Sequence, residues 1–397
     1  IMQNFVYNNP TKVIFGKDAE NNIANEIKNF GGKKVFIVYG AKSIKESGLL
    51  EKIENIIKNE NIEYKLFGGI RANPTLSYAR EGVRKSIDFK SDFILAIGGG
   101  SVIDTAKAIA IGTANFDTDI WDFWTGSKKV ERSLPVGCIL TISAAGSETS
   151  AASVLTNEET LDKRGLHTDF NRPKFAIMNP YLTFTLPYYQ VACGITDMLM
   201  HTLDRYFGDS ENSANGDNNQ ITDAIAEAVL RTIFKNGLIA MKDKNNYDAM
   251  SELMWCGSLS HNTLTGLGLN FDFIVHKFGH ELSAKFDCAH GASLSVIWGS
   301  WAKYCYKDKK ERFIQYSKNV WNIDNDDTGL KAIEKTIEYF KQINMPTNFT
   351  ELGIGIQSEE VLEDLTRRCI KDGKLQFKHF RALNRDDVYN IFKMANI

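Results

Sequence analysis

The sequence predicts an α/β N-terminal domain with a doubly wound, Rossmann-like parallel sheet, followed by an all-α C-terminal domain. Three observations carry this. Short apolar runs alternate with stretches of helical spacing through the first part of the chain, the pattern of strands and crossover helices in a parallel sheet. One run, Asp92-Phe-Ile-Leu-Ala-Ile97, leads straight into Gly98-Gly99-Gly100. From Pro187 the strand-like runs cease, and helical patterns continue nearly to the C-terminus. The boundary is therefore expected there, with an α/β domain over 1–186 and a helical domain over 187–397.

At 397 residues the chain can form two cores. A net charge of -2 supplies no basic field, so neither nucleic acid nor a membrane surface is an expected partner. No apolar run reaches membrane-spanning length. The segment Met2-Gln-Asn-Phe-Val-Tyr7 lacks the charged head and apolar core of a signal peptide. Six cysteines are scattered with no Cys-x-x-Cys, which fits free thiols and a cytoplasmic location. Among them only Cys288 lies near the histidines discussed below.

Taken in order, Phe5 to Phe15 reads as an opening strand and turn, punctuated by Pro10 and Gly16. Asp18 to Phe30 has helical spacing and stops at Gly31-Gly32. Lys34 to Tyr39 reads as a buried parallel strand, Leu49 to Lys58 as an amphipathic helix and Glu63 to Phe67 as the next strand. Asn73-Pro74 turns the chain into a helix from Leu76 to Ile87. A strand from Val136 to Thr141 precedes the small-residue loop Ile142-Ser-Ala-Ala-Gly-Ser-Glu148. A β-rich excursion follows over Ser150 to Thr168, then a strand over Lys174 to Met178. Helices are expected over Gln190–Phe207, Gln220–Asn236, Asp248–His261 and Ile333–Ile343. The polar stretch from Gly208 to Asp217 reads as a surface loop.

The glycines at 98–100 admit two readings. Without Cβ atoms they let a phosphate approach the backbone, and the helix that follows offers unpaired N–H groups and a positive dipole end. Alternatively they make only a tight turn, with Ser101-Val-Ile-Asp104 as a capping box. The stretch is not Gly-x-Gly-x-x-Gly.

The helical half carries the histidines. Asp197 and His201 are four apart, as are His276 and His280, so each pair shares a helix face. His290 precedes Gly291, where a helix is expected to end. Either pair alone is commonly a local helix contact. Two such faces together could converge on one divalent metal.

An α/β half with this glycine turn, followed by Asp-x-x-x-His and His-x-x-x-His-x9-His, resembles the iron-containing (group III) alcohol dehydrogenases. The butanol dehydrogenase and aldehyde reductase branch is the most similar. The matching stretches include Asn73-Pro74, Gly98 to Asp104, Gly146-Ser-Glu148, Asn179-Pro180, Thr185-Leu-Pro187, Gly194 to His201, His280-Glu-Leu-Ser-Ala and His290-Gly291. The resemblance implies a dehydroquinate synthase-like architecture, in which the first domain binds nucleotide and the second metal. It implies that Asp197, His201, His276 and His290 ligate the metal, and that His280 lies beside nicotinamide and substrate as the catalytic histidine. Asn73, Gly99, Gly100, Ser101 and Asp104 would belong to the cofactor site, with Thr141, Ser143, Ser147 and Lys163. Relatives often carry Ala-Thr-Gly-Ser-Glu where this chain has Ala144-Ala145-Gly-Ser-Glu148, which removes one hydroxyl from the cofactor side.

One carboxylate and three imidazoles without a thiolate suit Fe²⁺ or Zn²⁺. Such an ion polarises an aldehyde oxygen while the nicotinamide exchanges hydride with the adjacent carbon. The cleft between the domains is the expected meeting place. NADP(H) is expected to be preferred and NAD(H) possible: no acidic residue stands between Val35 and Lys45, where an NAD enzyme commonly binds the ribose 2′-hydroxyl. Gly40 leaves room for a phosphate there, and Lys42 and Ser43 offer charge and a hydrogen bond. Small primary alcohols and aldehydes such as butanol and butanal are the expected substrates, and a homodimer the expected assembly. The competing readings are a dehydroquinate synthase-type lyase, a glycerol dehydrogenase-type enzyme and a non-catalytic metal- and nucleotide-binding protein. The lyase would need several basic residues near the metal, and the long motif holds only Lys277 and Lys285.

Overall fold

The structure is a computed structural model describing residues 2–209 and 219–397. Most of the stretch expected as a polar surface loop, 208–217, lies outside the described residues. Gly208 and Asp209 are described, and Asp209 pairs with Asn270 in a short antiparallel bridge.

Two compact units are present, Asn8–Pro187 and a second made of Tyr188–Ile397 with the N-terminal residues before Asn8. The opening residues were expected within the α/β part, as the start of a strand. Instead Gln3 N donates to Gly268 O of the helical unit, and Phe5, Val6 and Tyr7 are exposed. Pairing begins only after Pro10, at β1 (Lys12–Phe15).

The α/β unit runs β1, α1 (Ile23–Asn29), β2 (Lys34–Gly40), α2 (Leu49–Asn59), β3 (Glu63–Ile70), α3 (Leu76–Phe89), β4 (Phe93–Gly98) and α4 (Gly100–Ala114). Then come β5 (Val136–Leu140), the hairpin β6 (Ala152–Asn157) and β7 (Asp162–His167), and β8 (Phe175–Met178). Six strands form one parallel sheet in the order β1-β8-β5-β4-β2-β3, and β6 and β7 pair antiparallel. The central strands β4, β5 and β8 are buried along their whole length, as expected for apolar runs covered on both faces. Each fully buried Ile or Leu in them contributes roughly 1.5–3 kcal/mol.

The chain order matters for the site. After β2 the chain builds β3 on one side, then crosses to place β4 on the other. The carboxyl ends of β2 and β4 therefore flank a topological switch point, the place where open α/β sheets bind ligands. Gly40 ends β2 and Gly98 ends β4.

The helical unit contains α5 (Tyr188–Tyr206), α6 (Gln220–Lys242), α7 (Tyr247–His261), α8 (Ile274–Phe286) and α9 (His290–Cys305). Further helices follow toward the C-terminus, including α10 (Leu330–Gln342). The sequence put a helix end at His290-Gly291. The structure ends α8 at Phe286, with Asp287 as its left-handed C-cap, and begins α9 at His290. Gly291 serves close approach instead: a Cβ there would lie 2.4 Å from the Cys193 carbonyl oxygen on α5. That closeness seats the start of α9 against the helix that carries Asp197.

Candidate functional site

Three helices of the helical unit converge on one carboxylate oxygen. Asp197 and His201 lie one turn apart on α5, His276 on α8, and His290 at the first position of α9. Asp197 Oδ1 is 3.6 Å from His201 Nδ1, 3.5 Å from His276 Nε2 and 3.6 Å from His290 Nε2. Donor atoms about 2.1 Å from a tetrahedral ion stand about 3.4 Å apart, so these spacings fit one bound cation. The donor atoms of Asp197, His201 and His276 all lie within 4.8 Å of one another, and all three residues are buried. His290, its side chain 27% exposed, reaches the same oxygen from a wetter side.

Asp197 Oδ1, His201 Nδ1 and His276 Nε2 are buried without a hydrogen-bond partner among the described residues. An orphaned buried polar atom costs about 1–3 kcal/mol. Three of them facing one point form a donor set that a divalent cation satisfies.

Electrostatics supports the same use. Burial holds the His201 imidazole well below its ordinary pKa, with His276 and Arg205 adding to the effect, so its lone pair stays available. For His276 burial acts downward, but Asp197 and Asp204 outweigh it and raise the ring. Asp204 is the residue that sequence reasoning missed. It accepts from the backbone N–H groups of Val275 and His276, both at 3.1 Å, and pairs with His276 Nδ1 at 2.6 Å. With its proton on Nδ1, His276 presents Nε2 as a lone pair toward Asp197. A signal was available: Asp204 follows His201 by three residues and Asp197 by seven, on the same helix face.

His280 does not join the group around Asp197 Oδ1. Its buried ring lies one turn along α8, with its centroid 5.6 Å from that of His290 and 6.4 Å from that of His276. Phe273, which precedes α8, is left-handed at φ 51, a strain of about 1–3 kcal/mol for a bulky residue. Its ring stands edge-on to His201, His261 and His276. Cys288, like the other five cysteines, forms no disulfide among the described residues. Lys285, one of the two basic residues in the motif, pairs with Asp364 at 2.8 Å.

In the α/β unit the residues assigned to the cofactor divide into a rim and a support. Gly40, Gly98 to Gly100, Thr141 and Ser143 follow the carboxyl ends of the adjacent strands β2, β4 and β5. Thr141 N donates to Gly98 O at 3.0 Å, tying the two loops. A Cβ on Gly99 would lie 3.0 Å from Ile142, and one on Gly100 3.1 Å from Ala145. The glycines thus serve tight packing of these loops as well as any phosphate. Ser143 Oγ is buried without a partner among the described residues. Lys42 and Ser43 are exposed at the start of a one-turn helix, Ser43–Glu46.

The capping box expected at Ser101 is absent. Gly99 is the N-cap of α4, without a side-chain cap bond. Asp104 faces inward instead: it accepts from Ser147 Oγ at 2.6 Å and from Val154 N at 3.0 Å. Beside it the buried Lys107 ammonium donates to the carbonyls of Ser147 and Ala152 at 2.7 and 2.8 Å. The Asp104 and Ser147 side chains, expected at the cofactor, are hydrogen-bonded to each other, and Asp104 also ties Val154 of β6 to α4. Asn73 and Lys163 are brought together, with Lys163 Nζ donating to Asn73 Oδ1 at 3.0 Å in a buried pair.

Comparison with known proteins adds the identity of this arrangement. Residues 10–180 match the family model described as iron-containing alcohol dehydrogenase, and 191–396 match the one for the C-terminal part of the Fe-containing alcohol dehydrogenase family. NADH-dependent butanol dehydrogenase A of Clostridium acetobutylicum is 38% identical, the match covering 99% of this chain and 100% of that one. NADPH-dependent aldehyde reductase YqhD of Escherichia coli is 34% identical, also over 99% and 100%. The crystal structure of NADH-dependent butanol dehydrogenase A from Thermotoga maritima superposes with a TM-score of 0.93 at 33% identity, covering 100% of this chain and 99% of that one. With both halves matched and relatives aligned end to end, the chain belongs to the iron-containing alcohol dehydrogenase family.

Proposed function

We propose that this chain is a metal-dependent, NAD(P)H-linked alcohol dehydrogenase and aldehyde reductase acting on small primary alcohols and aldehydes such as butanol and butanal. The observation that carries it is the orphaned set Asp197 Oδ1, His201 Nδ1 and His276 Nε2 facing one point, in a chain of this family. Butanol dehydrogenases and an aldehyde reductase among its relatives supply the substrate class.

In this reading Asp197, His201, His276 and His290 hold one Fe²⁺ or Zn²⁺. The bound ion supplies a Lewis acid, and the nicotinamide supplies or accepts the hydride. Asp204 fixes the tautomer of His276. Ser143, Thr141 and the glycine turn receive the cofactor over the carboxyl ends of β4 and β5, with the N-terminus of α4 toward its phosphates. His280 carries the proton to or from the substrate oxygen or positions the ring. In this reading Gly40, Lys42 and Ser43 favour the 2′-phosphate of NADPH; relatives are named for NADH and for NADPH alike. Lys285 is committed to Asp364, which speaks against the lyase reading. No helix among the described residues is long and apolar enough to cross a membrane. We take the enzyme to act in the cytoplasm, as a homodimer.

The test is NAD(P)H consumption at 340 nm with butanal, before and after metal removal. The proposal expects EDTA to abolish turnover and Fe²⁺ or Zn²⁺ to restore it. Full turnover in metal-free protein would refute the role of the metal.

A further inference from the structure

His261 is a buried histidine that the reading above does not use. It ends α7, and its ring stacks on that of His201 with centroids 4.0 Å apart and planes inclined by 24°. His276 stacks on His201 as well, at 4.4 Å and 20°. Two rings at such distances occupy opposite faces, so His201 is sandwiched between a fellow metal donor and His261.

The outer ring of this sandwich is itself held. Arg205 Nη2 lies 2.9 Å from His261 Nδ1. A guanidinium only donates, so Nδ1 is the accepting nitrogen, and the ring is keyed in one tautomer and one plane. Arg205 is fixed in turn. Its Nη1 donates to the carbonyls of His201 at 3.0 Å and Ser260 at 2.8 Å. Its guanidinium lies over the rings of Phe273 at 4.6 Å and Phe271 at 5.3 Å. One buried side chain therefore links the turn of α5 that bears His201, the end of α7, and the strained residue that opens α8.

We propose that His261, keyed by Arg205, is a positioning residue that fixes the imidazole plane of His201 for metal binding. It touches neither the ion nor the substrate and acts through the face of a ligand. A ligand imidazole left to rotate loses alignment of its lone pair, and partners that orient metal ligands are typically worth about 10–100-fold in affinity. The proposal rests on the assignment of His201 as a ligand.

The test uses Co²⁺ and Zn²⁺ on the full chain. The d–d bands of Co²⁺ report ligand geometry, competition with a chromophoric chelator gives Zn²⁺ affinity, and the melting temperature of metal-free protein reports the fold. His261→Ala is expected to weaken Zn²⁺ binding about 10–100-fold and to shift the Co²⁺ bands, with the metal-free melt little changed. His261→Phe keeps a flat ring but cannot accept from Arg205. It is expected to fall between parent and His261→Ala, and it carries the test if His261→Ala does not fold. Parent-like affinity and Co²⁺ bands in either variant overturn the proposal. A parent that takes up no Co²⁺ overturns the metal-centre reading and this inference with it.

Discussion

Asp204 Oδ2 lies 2.6 Å from His276 Nδ1, and the opposite nitrogen of that ring points at Asp197 Oδ1 from 3.5 Å. One carboxylate orients the ring and another stands beside its lone pair. Asp204→Asn removes the charge that holds the tautomer. It is expected to lower Zn²⁺ or Fe²⁺ affinity about 10–100-fold, measured by chelator competition. An unchanged affinity would mean that Asp204 serves only the backbone N–H groups at the start of α8.

His280 is predicted to affect turnover and not metal retention, because its ring stands beside His290 but outside the group around Asp197. His280→Ala should keep its metal and lose about 10²–10⁴ in rate. Loss of the metal would show that the roles of His276 and His280 had been exchanged.

How far such assignments can be read from sequence depends on the distance over which each signal acts. The pairs Asp197/His201 and His276/His280 were legible because four-residue spacing writes a helix face directly into the chain. The central strands were legible as apolar runs. Their order was not, because β1 pairs with β8 across nearly the whole unit and no local pattern encodes that. Asp204 was hidden as one acid among many; its partner His276 is 72 residues away. Gly291 was read as a helix stop because glycine commonly ends helices, whereas here it permits close contact with Cys193. Ser101 and Asp104 fit a capping pattern, but Gly99 caps the helix and Asp104 is drawn to Ser147 and Val154.

Cofactor choice gives a third prediction. The exposed Lys42 and Ser43 follow the carboxyl end of β2 at the switch point, with no acidic residue between Val35 and Lys45 to repel a phosphate. The kcat/KM with one aldehyde should be higher for NADPH than for NADH, and Ser43→Ala and Lys42→Ala should each narrow the difference. A parent that favours NADH, with variants that leave NADPH unaffected, would show that this loop does not recognise the 2′-phosphate.

Lys107, in the α/β unit, supplies a pH-dependent prediction. Burial lowers its pKa from 10.5 to about 8, although the nearby Asp104 acts in the opposite direction. In the unfolded chain the lysine keeps its proton up to its ordinary value. Between about pH 8 and 10.5 the unfolded state therefore binds more protons, and the contribution of this group to stability rises with pH. Below that window its desolvation cost is present in full. Denaturant unfolding across pH 7–10 (roughly the window of a lysine titration) should show the parent gaining stability relative to Lys107→Met as pH rises. A constant difference would mean that the carbonyls of Ser147 and Ala152 hold the ammonium charged throughout.

The most direct measurement is the metal content of His276→Ala beside the parent, by elemental analysis of protein purified in parallel, with circular dichroism to establish that both are folded. The account predicts about one divalent ion per parent chain, and in the folded variant little metal and little NAD(P)H-dependent reduction of butanal. A folded His276→Ala protein that retains its full complement of metal would contradict it.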